Sequence, residues 1–124
     1  MKSYSKEAPN QVELIAPETY RVRWDIDQVV EEIEGKEVSQ YTFEECTVPA
    51  PLTQDSILER AIRETVSQSQ ELKLINDFNA SQLMPGVRAL DVPYTAVYKY
   101  KVFIEWRDQL KAKINQLCID NNIQ

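Results

Sequence analysis

The chain contains no histidine, and only two glycines and two cysteines among its 124 residues. Without an imidazole it lacks the commonest general base, the commonest zinc ligand, and any Ser–His or Cys–His nucleophile pair. Gly35 and Gly86 alone cannot build a phosphate-cradling P-loop or a dinucleotide fingerprint, both of which need clustered glycines. Cys46 and Cys118 have no CxxC neighbour, which argues against thioredoxin-type and zinc-ribbon chemistry. They are expected to be buried, reduced thiols. No apolar run approaches the roughly 20 residues needed to cross a bilayer, and the opening MKSYSKEAPN has no apolar core of the signal-peptide kind. The expectation is a soluble, cytoplasmic protein without membrane contact.

Positive charge is also scarce. Fourteen Lys and Arg face twenty Asp and Glu, a net charge of −6. Tracking a phosphate backbone requires a clustered basic surface, so nucleic acid is not the expected partner. The nearest thing to such a cluster is Lys99, Lys101, Arg107, Lys111 and Lys113. It supports one alternative reading, a small regulatory or nucleic-acid-binding module using the basic residues of the last helix.

What the sequence does contain is ordinary globular composition, 43% hydrophobic and 27% charged, enough for one domain over residues 1–124. Its organising stretch is PYTAVYKYKVFIEWRDQLKAKINQLCID, Pro93 to Asp120, with no glycine and no proline after the first residue. Ala96, Tyr100, Phe103, Trp106, Leu110, Ile114 and Leu117 recur every three or four residues, the period of one long amphipathic helix. Pro93 suits the first turn, and Asp120-Asn121-Asn122 offers weak helix formers to end it. Such a helix spans roughly 40 Å. A compact chain of this length is about 35 Å across, so the helix should project, bend or be covered by a second copy.

Residues 1–18 read as an arm or short strand: a polar arm, loosely docked, over Met1 to Asn10, then a brief apolar patch at Val12, Leu14 and Ile15 that can serve as a short third strand, stopped by Ala16-Pro17. From Thr19, Tyr20, Val22, Trp24 and Ile26 alternate with Arg21, Arg23, Asp25 and Asp27, placing apolar side chains on one strand face and solvated charges on the other. The pattern loses phase at Gln28-Val29-Val30, where a bulge is expected. Gly35 supplies the reversal within Glu34-Gly35-Lys36, and a return strand runs from about Glu37 to Val48. A helix over Ile26 to Glu34 is the rival reading, disfavoured by its β-branched residues. Pro49-Ala50-Pro51 ends this β-hairpin of residues 19–48. A helical part over residues 53–124 follows: Thr53 caps a first helix bearing Ile57, Leu58, Ala61, Ile62 and Val66. The tract Ser67-Gln68-Ser69-Gln70 interrupts, a second helix runs from about Gln70 to Leu83, and Met84-Pro85-Gly86 stops it.

The fold class is therefore expected to be α+β: an N-terminal antiparallel β-ribbon or small sheet packed on a three-helix part whose last helix is longest. Asp25 and Asp27 with Glu31 or Glu32 have the composition of a hard-cation site. Lacking a glycine-turned loop or a dense oxygen cluster, they read as a solvated face. No catalytic, metal or cofactor-binding residue is assigned, and no small-molecule ligand is indicated. Tyr98, Tyr100, Phe103, Trp106 and Arg107 are instead candidates for an interface, because aromatics and arginine dominate the energetics of protein contacts.

The segments YRVRW, QYTFEE, AIRETVSQSQELKLINDFNA and FIEWRDQL, in that order, resemble small uncharacterised proteins encoded by bacteriophages and prophages near tail genes. The matching residues are Ser67-Gln68, Asp77-Phe78-Asn79 and Trp106-Arg107, over about residues 19 to 115, with Asp77 where the pattern has Asn. The resemblance implies a non-enzymatic, tail-associated or accessory role, virion-associated in that setting. It carries no catalytic residue. The expected protein is an interaction or assembly factor that forms a homo-oligomer, or meets a protein partner, through its C-terminal helix.

Overall fold

The computed structural model describes residues 2–83 and 93–124. Four strands, β1 (Lys2–Ser5), β2 (Val12–Ala16), β3 (Thr19–Ile33) and β4 (Lys36–Pro49), precede three helices, α1 (Gln54–Thr65), α2 (Gln68–Leu83) and α3 (Pro93–Asp120). The sheet is antiparallel in the order β1-β4-β3-β2, so the fold is α+β with a long last helix, as expected.

The β3–β4 hairpin is the frame. Ile33 pairs with Lys36 across a two-residue turn in which both Glu34 (φ 53) and Gly35 (φ 77) are left-handed. A turn with positive φ at both central residues matches the twist of the flanking strands. Residues 26–33 are strand, not helix, and Glu34 opens the turn.

Two expectations are corrected here. The bulge lies at Asp25-Ile26, not at Gln28-Val29-Val30: Trp24 pairs with Glu44 and Asp27 with Thr42, leaving two β3 residues opposite Phe43. Asp25 takes φ 52, a conformation that Asp tolerates better than most non-glycine residues. The N-terminal segment is not merely an arm. Lys2–Ser5 forms β1, an edge strand running antiparallel to Glu44–Tyr41, and the Val12 patch forms β2 on the opposite edge.

The core lies between one sheet face and the helices. Val22, Trp24, Cys46 and Val48 meet Ile57, Ala61 and Ile62 of α1 and Leu110, Ile114, Leu117 and Cys118 of α3. Both cysteines are free and buried there. Burial, followed by the charge of Glu64, pushes the Cys46 thiol up to about 12. Burial likewise raises Cys118.

The opposite sheet face is not simply solvated. Arg23, expected outside, is buried beneath residues 6–11, which fold back over it. Its Nε donates to Glu45 Oε2 (3.2 Å), Nη1 to the Asn10 carbonyl (3.1 Å) and Nη2 to Glu13 Oε1 (3.4 Å). Its guanidinium sits 5.5 Å from the centre of the Phe43 ring. Five donors in a rigid fork let one arginine organise a polar layer in this way.

Helix ends follow local chemistry. Thr53 Oγ1 accepts from the Ser56 amide while Ser56 Oγ accepts from the Thr53 amide, a reciprocal capping box. At the far end of α3, Asn122 is left-handed (φ 55), and the amides of Ile123 and Asn122 bond the carbonyls of Cys118 and Ile119. This paired pattern closes a helix and returns Ile123 to the core. The expected stop at Met84-Pro85-Gly86 and the link over Val87–Val92 lie outside the described residues.

Candidate docking surface

The elbow between α1 and α2 positions the candidate site. Ser67 Oγ accepts from the Gln70 amide (3.1 Å) and Gln70 Oε1 accepts from the Ser67 amide (2.8 Å), a second capping box that starts α2 at Gln68. Arg63 clamps the elbow. Its Nε donates to Glu59 (2.7 Å), Nη2 also reaches Glu71 (3.3 Å), and Nη1 donates to the Val66 carbonyl (3.0 Å). From this fixed corner α2 packs on the N-terminal half of α3, where Phe78 stacks on Tyr100 with ring centres 4.4 Å apart.

Between the elbow and α3 runs a groove of about 400 Å³ lined by Thr65, Val66, Leu74, Tyr98, Lys99, Val102, Phe103 and Trp106. Apart from Thr65 and Lys99 its walls are apolar or aromatic. Tyr98 and Val102 remain 56% and 47% exposed. A second recess continues past Leu74 to Lys73, Asp77 and Lys99, so lysines rim the apolar floor.

The five sequence candidates do not share one environment. Tyr98, Phe103 and Trp106 line the groove. Tyr100 turns to the helix–helix seam with Phe78. Arg107 lies over the Phe103 ring at 5.8 Å, supporting a groove wall from behind. Phe103 is itself buried, so it forms the floor, and the accessible contacts fall to Tyr98, Val102 and Trp106. Val102 and Leu74 were missed by the aromatic count. The available signal was the i, i+4, i+8 row Tyr98, Val102, Trp106, a second stripe beside the main one.

Trp106 has a second neighbourhood. It also lines a smaller polar recess, about 160 Å³, with Trp24, Asp25, Glu44, Glu64 and Lys113. The Lys113 ammonium bonds Asp25 Oδ2 at 2.9 Å across this recess. The bulge thus gives Asp25 to α3 and separates it from Asp27, removing the same-face pair on which a cation site was conceivable. Among the described residues, no group of three or more His, Cys, Asp or Glu is arranged to hold a metal ion. Nor, among them, is any helix long and apolar enough to cross a membrane.

The basic residues of α3 do not assemble into one face. At about 100° per residue, Lys99, Lys101, Arg107, Lys111 and Lys113 fall on all sides of the helix. Two of them are engaged, Lys113 with Asp25 and Arg107 with Phe103. In comparisons with protein families, curated proteins and solved structures, the chain matches none.

Proposed function

We propose that this chain is a non-catalytic interaction and assembly protein that self-associates through the N-terminal half of α3. The observation that carries the reading is the open groove walled by Val66, Leu74, Tyr98, Val102 and Trp106. Contiguous apolar surface of this kind, rimmed by polar residues, is what a soluble protein keeps for a partner. Aromatic side chains held on rigid helices add contact area at little cost in conformational entropy. The proposed occupant is a second copy, whose own α3 would bring the same Tyr98, Val102 and Trp106 row to the groove across a two-fold axis. In keeping with the resemblance to proteins encoded beside phage tail genes, the setting is that of an accessory or tail-associated assembly factor.

The scattered lysines of α3 support protein docking over nucleic-acid binding, since no row of them can follow successive phosphates. Light scattering across micromolar concentrations tests the reading, with Val102→Glu as the companion variant. The wild-type chain should form an oligomer that Val102→Glu dissolves, leaving the circular dichroism spectrum unchanged because Val102 is exposed. A 14.4 kDa monomer at every concentration would refute it.

A further inference from the structure

The outer half of the β3–β4 hairpin keeps an open strand edge. β2 accompanies β3 only as far as Val22, with one further bond from the Arg23 amide to the Gln11 carbonyl, and β1 accompanies β4 only over residues 41–44. Over residues 27–33, roughly 20 Å, β3 has β4 as its one neighbouring strand among the described residues. Ile33 and Lys36 flank a two-residue turn and so exchange both backbone bonds. By the alternation of an antiparallel ladder, Val29 and Glu31 also turn their amides and carbonyls toward β4, whereas Gln28, Val30 and Glu32 turn theirs outward. Those three residues are exposed. The β4 edge is shorter, with Glu37 and Ser39 facing outward before β1 begins. An open edge of this length is a template for another strand.

Charge decides which strand fits. Paired residues share a face, so Val30 and Glu32 lie with Ser39 and Glu37, while Glu31 lies on the other face with Val38 and Lys36. Glu32 stands directly opposite Glu37, a like-charge pairing that weakens a ladder, and no Lys or Arg of residues 27–40 shares their face. On the other face Lys36 is only diagonal to Glu31. Among the described residues Asp27, Glu31, Glu32, Glu34 and Glu37 make no ion pair. Pairing two copies of this edge would gather the glutamates of both, which is how charged edges refuse their own kind. A basic strand turns the same charges into attraction.

We infer that the free edge of β3 takes up an extended, lysine- or arginine-bearing segment of another protein as an added antiparallel strand, with basic side chains opposite Glu31 and Glu32 and an apolar one opposite Val30. The outward amides and carbonyls of Gln28, Val30 and Glu32 supply the affinity, and the carboxylates select the sequence. Val30, 58% exposed, offers the incoming chain an apolar contact. The edge is separate from the α2–α3 groove, so the inference does not depend on the self-association proposed above.

The probe is a short peptide with blocked ends, Val-Lys-Lys-Val-Val-Thr, whose lysines fall opposite Glu32 and Glu31 and whose next valine falls opposite Val30. It is titrated into the isotopically labelled full chain and followed by NMR and amide exchange. The amides of Gln28, Val30 and Glu32 should gain protection, while those of Val29 and Glu31, already bonded to β4, change little. Glu31→Gln/Glu32→Gln should weaken binding about tenfold, and added salt should weaken it for wild type. Two changes should abolish it: N-methylation of the peptide valine opposite Val30, which keeps every charge, and Val30→Pro, which removes an outward donor but no bond to β4. Circular dichroism checks that Val30→Pro keeps its sheet. Equal binding of the methylated peptide would reduce the effect to charge alone and overturn the inference, as would no response at millimolar peptide. Protection of the same three amides in the peptide-free chain, rising with protein concentration, would give the edge to a second copy instead. Val102→Glu should bind the peptide as wild type does; loss of binding there would place the peptide in the groove and overturn the assignment to the edge.

Discussion

Replacing Arg23 with methionine should loosen the N-terminal third of the protein without disturbing its helical core. The substitution keeps an unbranched apolar stem over Phe43 but removes three donors, those reaching Glu45, the Asn10 carbonyl and Glu13. Breaking a fully buried ion pair costs about 3–5 kcal/mol, because the remaining charge is stranded. Here water can reach the abandoned partners, since the side chains of Glu45 and Glu13 are 25% and 44% exposed. Ser3 Oγ continues to donate to Glu45 at 3.0 Å. The expected loss is therefore smaller, about 2–3 kcal/mol, including the Asn10 carbonyl left without its side-chain donor. With a urea m-value of about 1–3 kcal/mol/M, the midpoint falls by about 1 M. A double-mutant cycle with Glu45→Gln should show a coupling of about 1–2 kcal/mol, as expected for groups in one network. Hydrogen exchange supplies the local readout: the Arg23 amide, bonded to the Gln11 carbonyl at 2.7 Å, should lose protection when residues 6–11 lift. A midpoint shifted by less than the equivalent of about 0.5 kcal/mol, or strictly additive effects of the two substitutions, would refute the reasoning.

Two further predictions concern the core and the elbow. Cys46 is held at about 12 in the folded chain, against 9.0 for the free thiol. Its contribution to stability is complete below pH 9, and it declines as pH rises toward 12, because the unfolded chain releases a proton that the folded chain retains. Over that window the slope is about 1.4 kcal/mol per pH unit for this group. Urea melts from pH 8 to 10.5 should therefore be steeper in pH for wild type than for Cys46→Ala, and parallel curves would count against the buried thiol. Ser67→Ala removes the cap of α2 and should cost about 1 kcal/mol by thermal or urea unfolding. No loss would mean that Arg63 alone sets the elbow.

The parts of this fold legible in the sequence are those where one local rule decides. Tyr20 to Trp24 alternates with the strand period, Gly35 admits a positive φ, Thr53 caps, and the last helix runs without a breaker from Pro93 to Asp120. The parts that escaped depend on neighbours distant in sequence. β1 holds its place through backbone bonds to β4, and Lys-Ser-Tyr-Ser offers no apolar alternation to announce them. Arg23 occupies the charged phase of its strand and looked solvated; the cover comes from residues 6–11, whose folding back leaves no periodic trace. The bulge was displaced because the apolar pattern shows its slip only downstream, at Val29-Val30, whereas the extra residue enters at Asp25. The groove was half legible, since its aromatics were visible but Val66 and Leu74 enter it only through the angle of the elbow.

Trp106 marks a change of duty along α3 that accounts for the helix's length. On its C-terminal side Leu110, Ile114, Leu117 and Cys118 are spent on the sheet and α1, and Lys113 is tied to the bulge. On its N-terminal side, among the described residues, α2 packs on the Tyr100 side while Tyr98 and Val102 stay exposed. A helix beginning near Trp106 would already satisfy the core cluster. The additional turns are therefore not required by that core, and their apolar row is best understood as surface held ready by a folded base. The hairpin repeats the same division on the β side, buried up to Trp24 and bare beyond the bulge. Two elements thus overrun one small core, and the association proposed above would act on the overhang of α3.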